Sequence, residues 1–205
     1  MTIVVLIRHG ETDWNLERRF RGRAPVPLNA RGRREAELTA QRVVASWNIQ
    51  AIYSSPVARA AETAEPLRRI TGLPILVSEP FADLDYGIWQ GQTIAQVALS
   101  HPDELETWLR EPAAVRIPGG ETLQEVQARA VSELAAIASR HPAEAVVIVS
   151  HTEVNRLVIL AAFRGSPNAL WNVGQDTCAI NILRVKDRVV DVLSVNDRCH
   201  LAALG

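Results

Sequence analysis

Val4-Val5-Leu6-Ile7-Arg8-His9-Gly10-Glu11-Thr12 is the stretch around which this chain is organised. An apolar run too short to cross a membrane stops abruptly at an arginine, a histidine and a glycine. That is the pattern of a buried strand that ends where polar chemistry begins. A neutral imidazole carries a lone pair able to attack phosphorus, and a guanidinium beside it can hold the oxygens of the group attacked. Gly10 lets the backbone turn sharply and approach a ligand. The same triplet in isolation also describes a histidine that caps a strand with an ordinary hydrogen bond, so its company has to decide.

The 205 residues are 47% hydrophobic and 22% charged, enough for one substantial core and in keeping with a single domain over residues 1–205. No low-complexity tract or fixed-period repeat interrupts the alternation of apolar strands and amphipathic helices. A net charge of −1 and a pI near 6.5 give no global drive toward nucleic acid or an anionic membrane surface. With no basic-then-apolar leader and no apolar run near the ~20 residues of a membrane span, the expectation is a soluble, cytoplasmic protein. Cys178 and Cys199 lack metal-ligand spacing and read as reduced and structural. Local charge departs from the total: Arg18, Arg19, Arg21, Arg23, Arg31, Arg33 and Arg34 lie between Glu17 and Glu35. They form either a solvated face or a funnel for an anionic substrate.

Taken in order, a strand over residues 2–8 leads through Asp13, Trp14 and Asn15 to a helix capped by Asn29 and running to about Trp47. A second short strand covers 51–55. Pro56 marks a helix start, and the helix runs from Val57 to about Ile70, ended by Thr71-Gly72. This is the rhythm of parallel crossovers, and it brings Arg59 near the mouth where Arg8 and His9 emerge if the two strands are adjacent. A third strand at 74–77 precedes a loop rich in aromatics, glycines and the carboxylates Asp83 and Asp85. Short helices broken near His101-Pro102 follow. Thr122 and Glu125 then form a capping box for a helix to about Arg140. The apolar strand 145–150 ends in His151, repeating the exit seen at His9, beside the anion-attracting start of a helix. Residues 178–185 and 189–195 read as a closing hairpin turned at Lys186-Asp187.

LIRHGETDWN at 6–15, SSPVARAAETA at 54–64, DYGIWQG at 85–91, PGGET at 118–122, VIVSHTEVNR at 147–156 and NDRCHL at 196–201 together resemble the histidine phosphatase superfamily, the phosphoglycerate mutase-like fold. The resemblance covers almost the whole chain. It implies a three-layer α/β/α fold around a mostly parallel sheet. It also implies that His9 is the nucleophile that becomes phosphohistidine, that Arg8, Arg59 and His151 hold the phosphoryl oxygens with Asn15 close by, and that Asp83 is the general acid. Asp85 is its rival, two residues away, and Glu11 a weaker one. Arg21, Gly22 and Thr152 complete the expected substrate contacts. No metal or other cofactor is expected, because arginines supply the charge that magnesium supplies elsewhere.

Some positions depart from the commonest family pattern. Asp83 stands where glutamate is more usual, Pro25 where aspartate is, and Thr152-Glu153 where glycines are frequent. Glu153 would repel a phosphate unless it points outward or meets a cationic part of the substrate. Between Gln92 and Pro118 the only basic side chains are Arg110 and Arg116, apart from His101, fewer than similar mutases carry for a second anionic group. Hydrolysis of a small phosphomonoester is therefore favoured, with cofactor-dependent phosphoglycerate mutase as the alternative. Trp14, Trp89, Trp108 and Trp171 are read as core fillers before pocket walls. Oligomeric state stays open, a homodimer included.

Overall fold

The computed structural model describes residues 1–187 and 189–204. Six strands, β1 (Thr2–Arg8), β2 (Ile49–Ser54), β3 (Ile75–Val77), β4 (Ala145–Ser150), β5 (Ile180–Lys186) and β6 (Val189–Asp197), form one sheet in the order β3-β2-β4-β1-β5-β6. β1 to β4 run parallel and the last two close one edge antiparallel. The chain accordingly has a three-layer α/β fold with a mixed, mostly parallel sheet.

The helices are α1 (Asp13–Leu16), α2 (Ala30–Ser46), α3 (Ala58–Thr71), α4 (Ile94–Ser100), α5 (Pro102–Arg110), α6 (Leu123–Arg140) and α7 (Thr152–Ala162). Alternation along the central strands feeds two cores. Val4, Leu6, Val146 and Ile148 pack with Leu123, Val126, Leu134 and Leu157 of α6 and α7, whereas Val5, Ile7, Val147 and Val149 pack with Val43 of α2 and Ala60 and Leu67 of α3. Each such aliphatic side chain removed from water contributes about 1.5–3 kcal/mol, so the continuous apolar runs of β1 and β4 anchor the sheet centre. Among the described residues no helix is long and apolar enough to cross a membrane.

Local signals act as their chemistry dictates. Asn29 accepts from Gly32 N, Thr122 and Glu125 cap α6 reciprocally, and Gly72 ends α3 in the left-handed region. Two readings need correction. Pro56 precedes the N-cap, Val57, and α3 begins at Ala58, because the chain is still extended as it leaves β2. β1 and β2 are not neighbours: β4 lies between them, since its doubly buried apolar run suits the sheet centre. The hairpin joins β5 to β6 beyond Lys186, and its Arg188 lies outside the described residues. The final 3-10 turn, Cys199–Leu204, packs Leu201 beside Leu28, Ala36 and Cys178, against α2.

Candidate active site

The ends of β1, β4 and β2 are level. Arg8 pairs with Ser150 and Ser54 with Val149, and beyond the ladder His9 N donates to Ser150 O and Ser55 N to Val149 O, both at 2.9 Å. His9, His151 and Ser55 therefore leave the sheet side by side at its carboxyl edge, the place where open α/β sheets bind ligands. The chain after β1 is seated on the start of α2: a Cβ on Gly10 would come within 2.6 Å of the Gly32 carbonyl oxygen, so only glycine permits this approach.

His9 is fully buried, and its Nδ1 lies 2.7 Å from the Gly10 carbonyl. That oxygen can only accept, so Nδ1 carries the proton and the lone pair sits on Nε2, which has no partner among the described residues. Burial first, then the Arg59 and Arg8 charges, hold its pKa well below the usual 6.5. His151 is held low in the same way, by burial and then Arg59. Its ring centroid is 5.3 Å from that of His9, and its Nε2 is 2.7 Å from Ser55 Oγ. Ser55 Oγ also accepts from Val57 N. Val57 N can only donate, so the hydroxyl proton goes to the other partner, His151 Nε2, which leaves the ring proton on Nδ1, 3.4 Å from Asp83 Oδ2.

Both rings should therefore show the nitrogen resonances of single neutral tautomers at pH 6.5, protonated on Nδ1. A nitrogen-detected titration finding either ring half-protonated at or above 6.5 would overturn this assignment. Because these two imidazoles are neutral when folded and free to charge when unfolded, they also make the fold lose stability as pH falls below 6.5.

The cations are fixed from behind. Arg59, with no exposure, gives Nη1 to Ala24 O at 3.1 Å and Nη2 to Gly22 O and Asp83 Oδ2, both at 2.6 Å. Arg8 donates Nη1 to Gln175 O, and burial together with Arg21 lowers its pKa to about 10. Asp83 is 1% exposed and its Oδ1 accepts from Leu84 N, whereas Asp85 caps Gly87 N and Glu11 accepts from Asn29 Nδ2. Asp83 thus lies against Arg59 and His151, and its two rivals face loop backbone and the α2 cap.

The remaining candidates divide. Asn15 closes the α1 capping box through Oδ1 and lines the adjoining cleft together with Arg8 and Arg21. Thr152 Oγ1 and the Nε atoms of Arg8, Arg21 and Arg59 are buried without partners among the described residues. Gly22 presents its carbonyl to Arg59, so here it serves that arginine. The arginine-rich stretch is neither one funnel nor one face. Arg18, Arg19 and Arg21 line the cleft, while Arg23 pairs with Glu121 and Arg33 with Glu62. Trp89 and Trp108 are core, Trp108 also lining the cleft, and Trp171 walls that cleft, which has a volume of about 710 Å³. A hollow of about 730 Å³ at the other end of the sheet, beside Met1 and Val190, holds none of these residues.

Sequence reading missed several supports. Ser55 sets the His151 ring. Arg129 of α6 ties down the acid-bearing loop, donating to Pro80 O, Ala82 O and Asp83 O while pairing with Glu121. The only sign of Ser55 was its place before Pro56 at a strand end, and nothing local marked Arg129. Both cysteines are free, Cys178 buried and Cys199 exposed. Among the described residues no group of three or more His, Cys, Asp or Glu is gathered as a metal ion would require.

Comparison with known proteins bears on this arrangement. The chain is 30% identical over 201 residues to phosphoserine phosphatase 1 of Hydrogenobacter thermophilus, covering 98% of this chain and 95% of that one. It is 29% identical over 208 residues to the metal-independent phosphoserine phosphatase of Arabidopsis thaliana, covering 100% of this chain and 85% of the relative. Among solved structures, Bacillus stearothermophilus YhfR superposes with a TM-score of 0.93 at 31% identity, covering 98% of this chain and 100% of that one. Residues 4–198 match the histidine phosphatase superfamily (branch 1), and it is to this superfamily that the chain belongs.

Proposed function

We propose that the pocket between His9 and Asp83 transfers the phosphoryl group of a small monoester to His9 and then to water, with O-phosphoserine the first substrate to test. The observation that carries this is the bare Nε2 of His9, a buried neutral nucleophile beside Arg8, Arg59 and His151, with the Asp83 carboxyl against the last two. Its nitrogen attacks phosphorus while the ester oxygen departs. Guanidinium groups and the His151 Nδ1–H meet the charge on the three equatorial oxygens, and their backing hydrogen bonds mean that little reorganisation accompanies the reaction.

Departure of an alkoxide requires a proton. Asp83 is the group placed to supply it, its Oδ2 lying 3.4 Å from His151 Nδ1 and 2.6 Å from Arg59 Nη2. The resulting carboxylate takes a proton from the water that cleaves phosphohistidine, restoring the enzyme. Positive charge comes from arginine, so turnover should persist in EDTA.

The substrate choice rests on the names of two relatives at 30% and 29% identity, each matched over most of its length. Against mutase chemistry, Arg110 and Arg116 are engaged with Glu106 and Glu125, away from the cleft. Release of inorganic phosphate from O-phosphoserine, in EDTA, is the expected result. Isomerisation of 3-phosphoglycerate that depends on 2,3-bisphosphoglycerate, without phosphate release, would replace it by the mutase reading.

A further inference from the structure

We propose that Glu153 and Arg156 form a head-group subsite beside the phosphoryl pocket, Glu153 binding an ammonium and Arg156 a carboxylate on the leaving alcohol. The proposal deepens the phosphatase reading and rests on it. Both residues belong to α7, two and five positions after His151, and both line the 710 Å³ cleft with Arg8, Asn15, Arg21 and Tyr86. At a spacing of three they share one helix face, where an acid and a base ordinarily close on each other. Here they are held apart. Arg156 donates Nε to Val173 O at 2.7 Å and lies over the Trp171 ring at 5.4 Å.

Glu153 is only 6% exposed, makes no ion pair among the described residues, and has Oε2 buried without a partner. A desolvated carboxylate left in that condition is costly, and an ammonium ligand removes the cost. Arg156 likewise pairs with no carboxylate among the described residues, and its terminal nitrogens stay free for one. The separated charges match the zwitterionic head of an amino acid whose side-chain oxygen carries the phosphoryl group. The competing role for Glu153 is to balance Arg8 and Arg59, whose charged forms it also favours. Such bracing would act on every substrate alike.

The test is a matrix of kcat/KM values for the wild type, Glu153→Gln and Arg156→Gln on four monoesters: O-phosphoserine, O-phosphoethanolamine, 3-phosphoglycerate and ethyl phosphate. In the wild type phosphoethanolamine should exceed ethyl phosphate, and phosphoserine 3-phosphoglycerate, by about tenfold or more. Glu153→Gln should bring both ratios toward one. Arg156→Gln should collapse instead the ratio of phosphoserine to phosphoethanolamine. An equal loss on all four substrates in Glu153→Gln, or wild-type ratios already near one, would overturn the subsite while leaving the phosphatase standing. A wild type that releases phosphate from none of the four would sink the phosphatase reading itself.

Discussion

His9→Ala is expected to lower kcat on O-phosphoserine by a factor on the order of 10⁴ or more, because the variant has no atom to accept the phosphoryl group. His9 sits with no exposure at the end of β1 and its ring makes one side-chain hydrogen bond, to the next residue's carbonyl. Removing it leaves Arg8, Arg59 and His151 with the partners that position them. The variant should therefore still bind inorganic phosphate, seen as a thermal shift, while losing turnover. Quenching wild-type enzyme with alkali during turnover of radiolabelled substrate should trap phosphate in an acid-labile linkage, and His9→Ala should trap none. Retained turnover in a folded, phosphate-binding variant would remove His9 from the chemistry.

Asp83→Asn should separate substrates by leaving group. An alkyl phosphate such as O-phosphoserine needs its departing oxygen protonated, and loss of a general acid costs about 10²–10⁴-fold. Nitrophenyl phosphate leaves with little help and should be slowed far less. Asparagine keeps an oxygen that can accept from Arg59 Nη2, now 2.6 Å from Asp83 Oδ2, so the loop should hold its place. Asp85→Asn is the natural control, since that side chain caps Gly87 N and lies two residues away. Equal slowing of both substrates in Asp83→Asn would count against the acid, and a larger leaving-group effect in Asp85→Asn would move the role there.

The sequence made some of this legible and hid the rest for physical reasons. The apolar runs Val4–Ile7 and Val146–Val149 announced buried strands, and the polar residues that end them announced the carboxyl edge, because burial on both faces tolerates no alternation. Caps at Asn29 and Thr122 were readable because they are local chemistry. The position of β4 between β1 and β2 was not readable, since strand order is decided by packing across more than a hundred residues. Asp83 was found through resemblance to a family, and Arg59 through that resemblance and its place at the start of the helix after β2, on a strand adjacency that the fold replaces with β4. Ser55, Tyr86, Arg129 and Arg156 acquire their places in the site only when distant segments meet. Glu153 was visible as an anomaly, an acid where a phosphate is expected, and the fold supplies its context in the cleft.

Three level strand ends carry His9, Ser55 and His151, and a slip of one residue in any of those ladders would send its side chain to the opposite face. A compact but misaligned molecule could keep native-like secondary structure and still be chemically silent. Recovered catalysis after refolding therefore counts molecules whose central strands have found their correct alignment, a quantity that spectroscopic measures of helix and sheet content do not resolve.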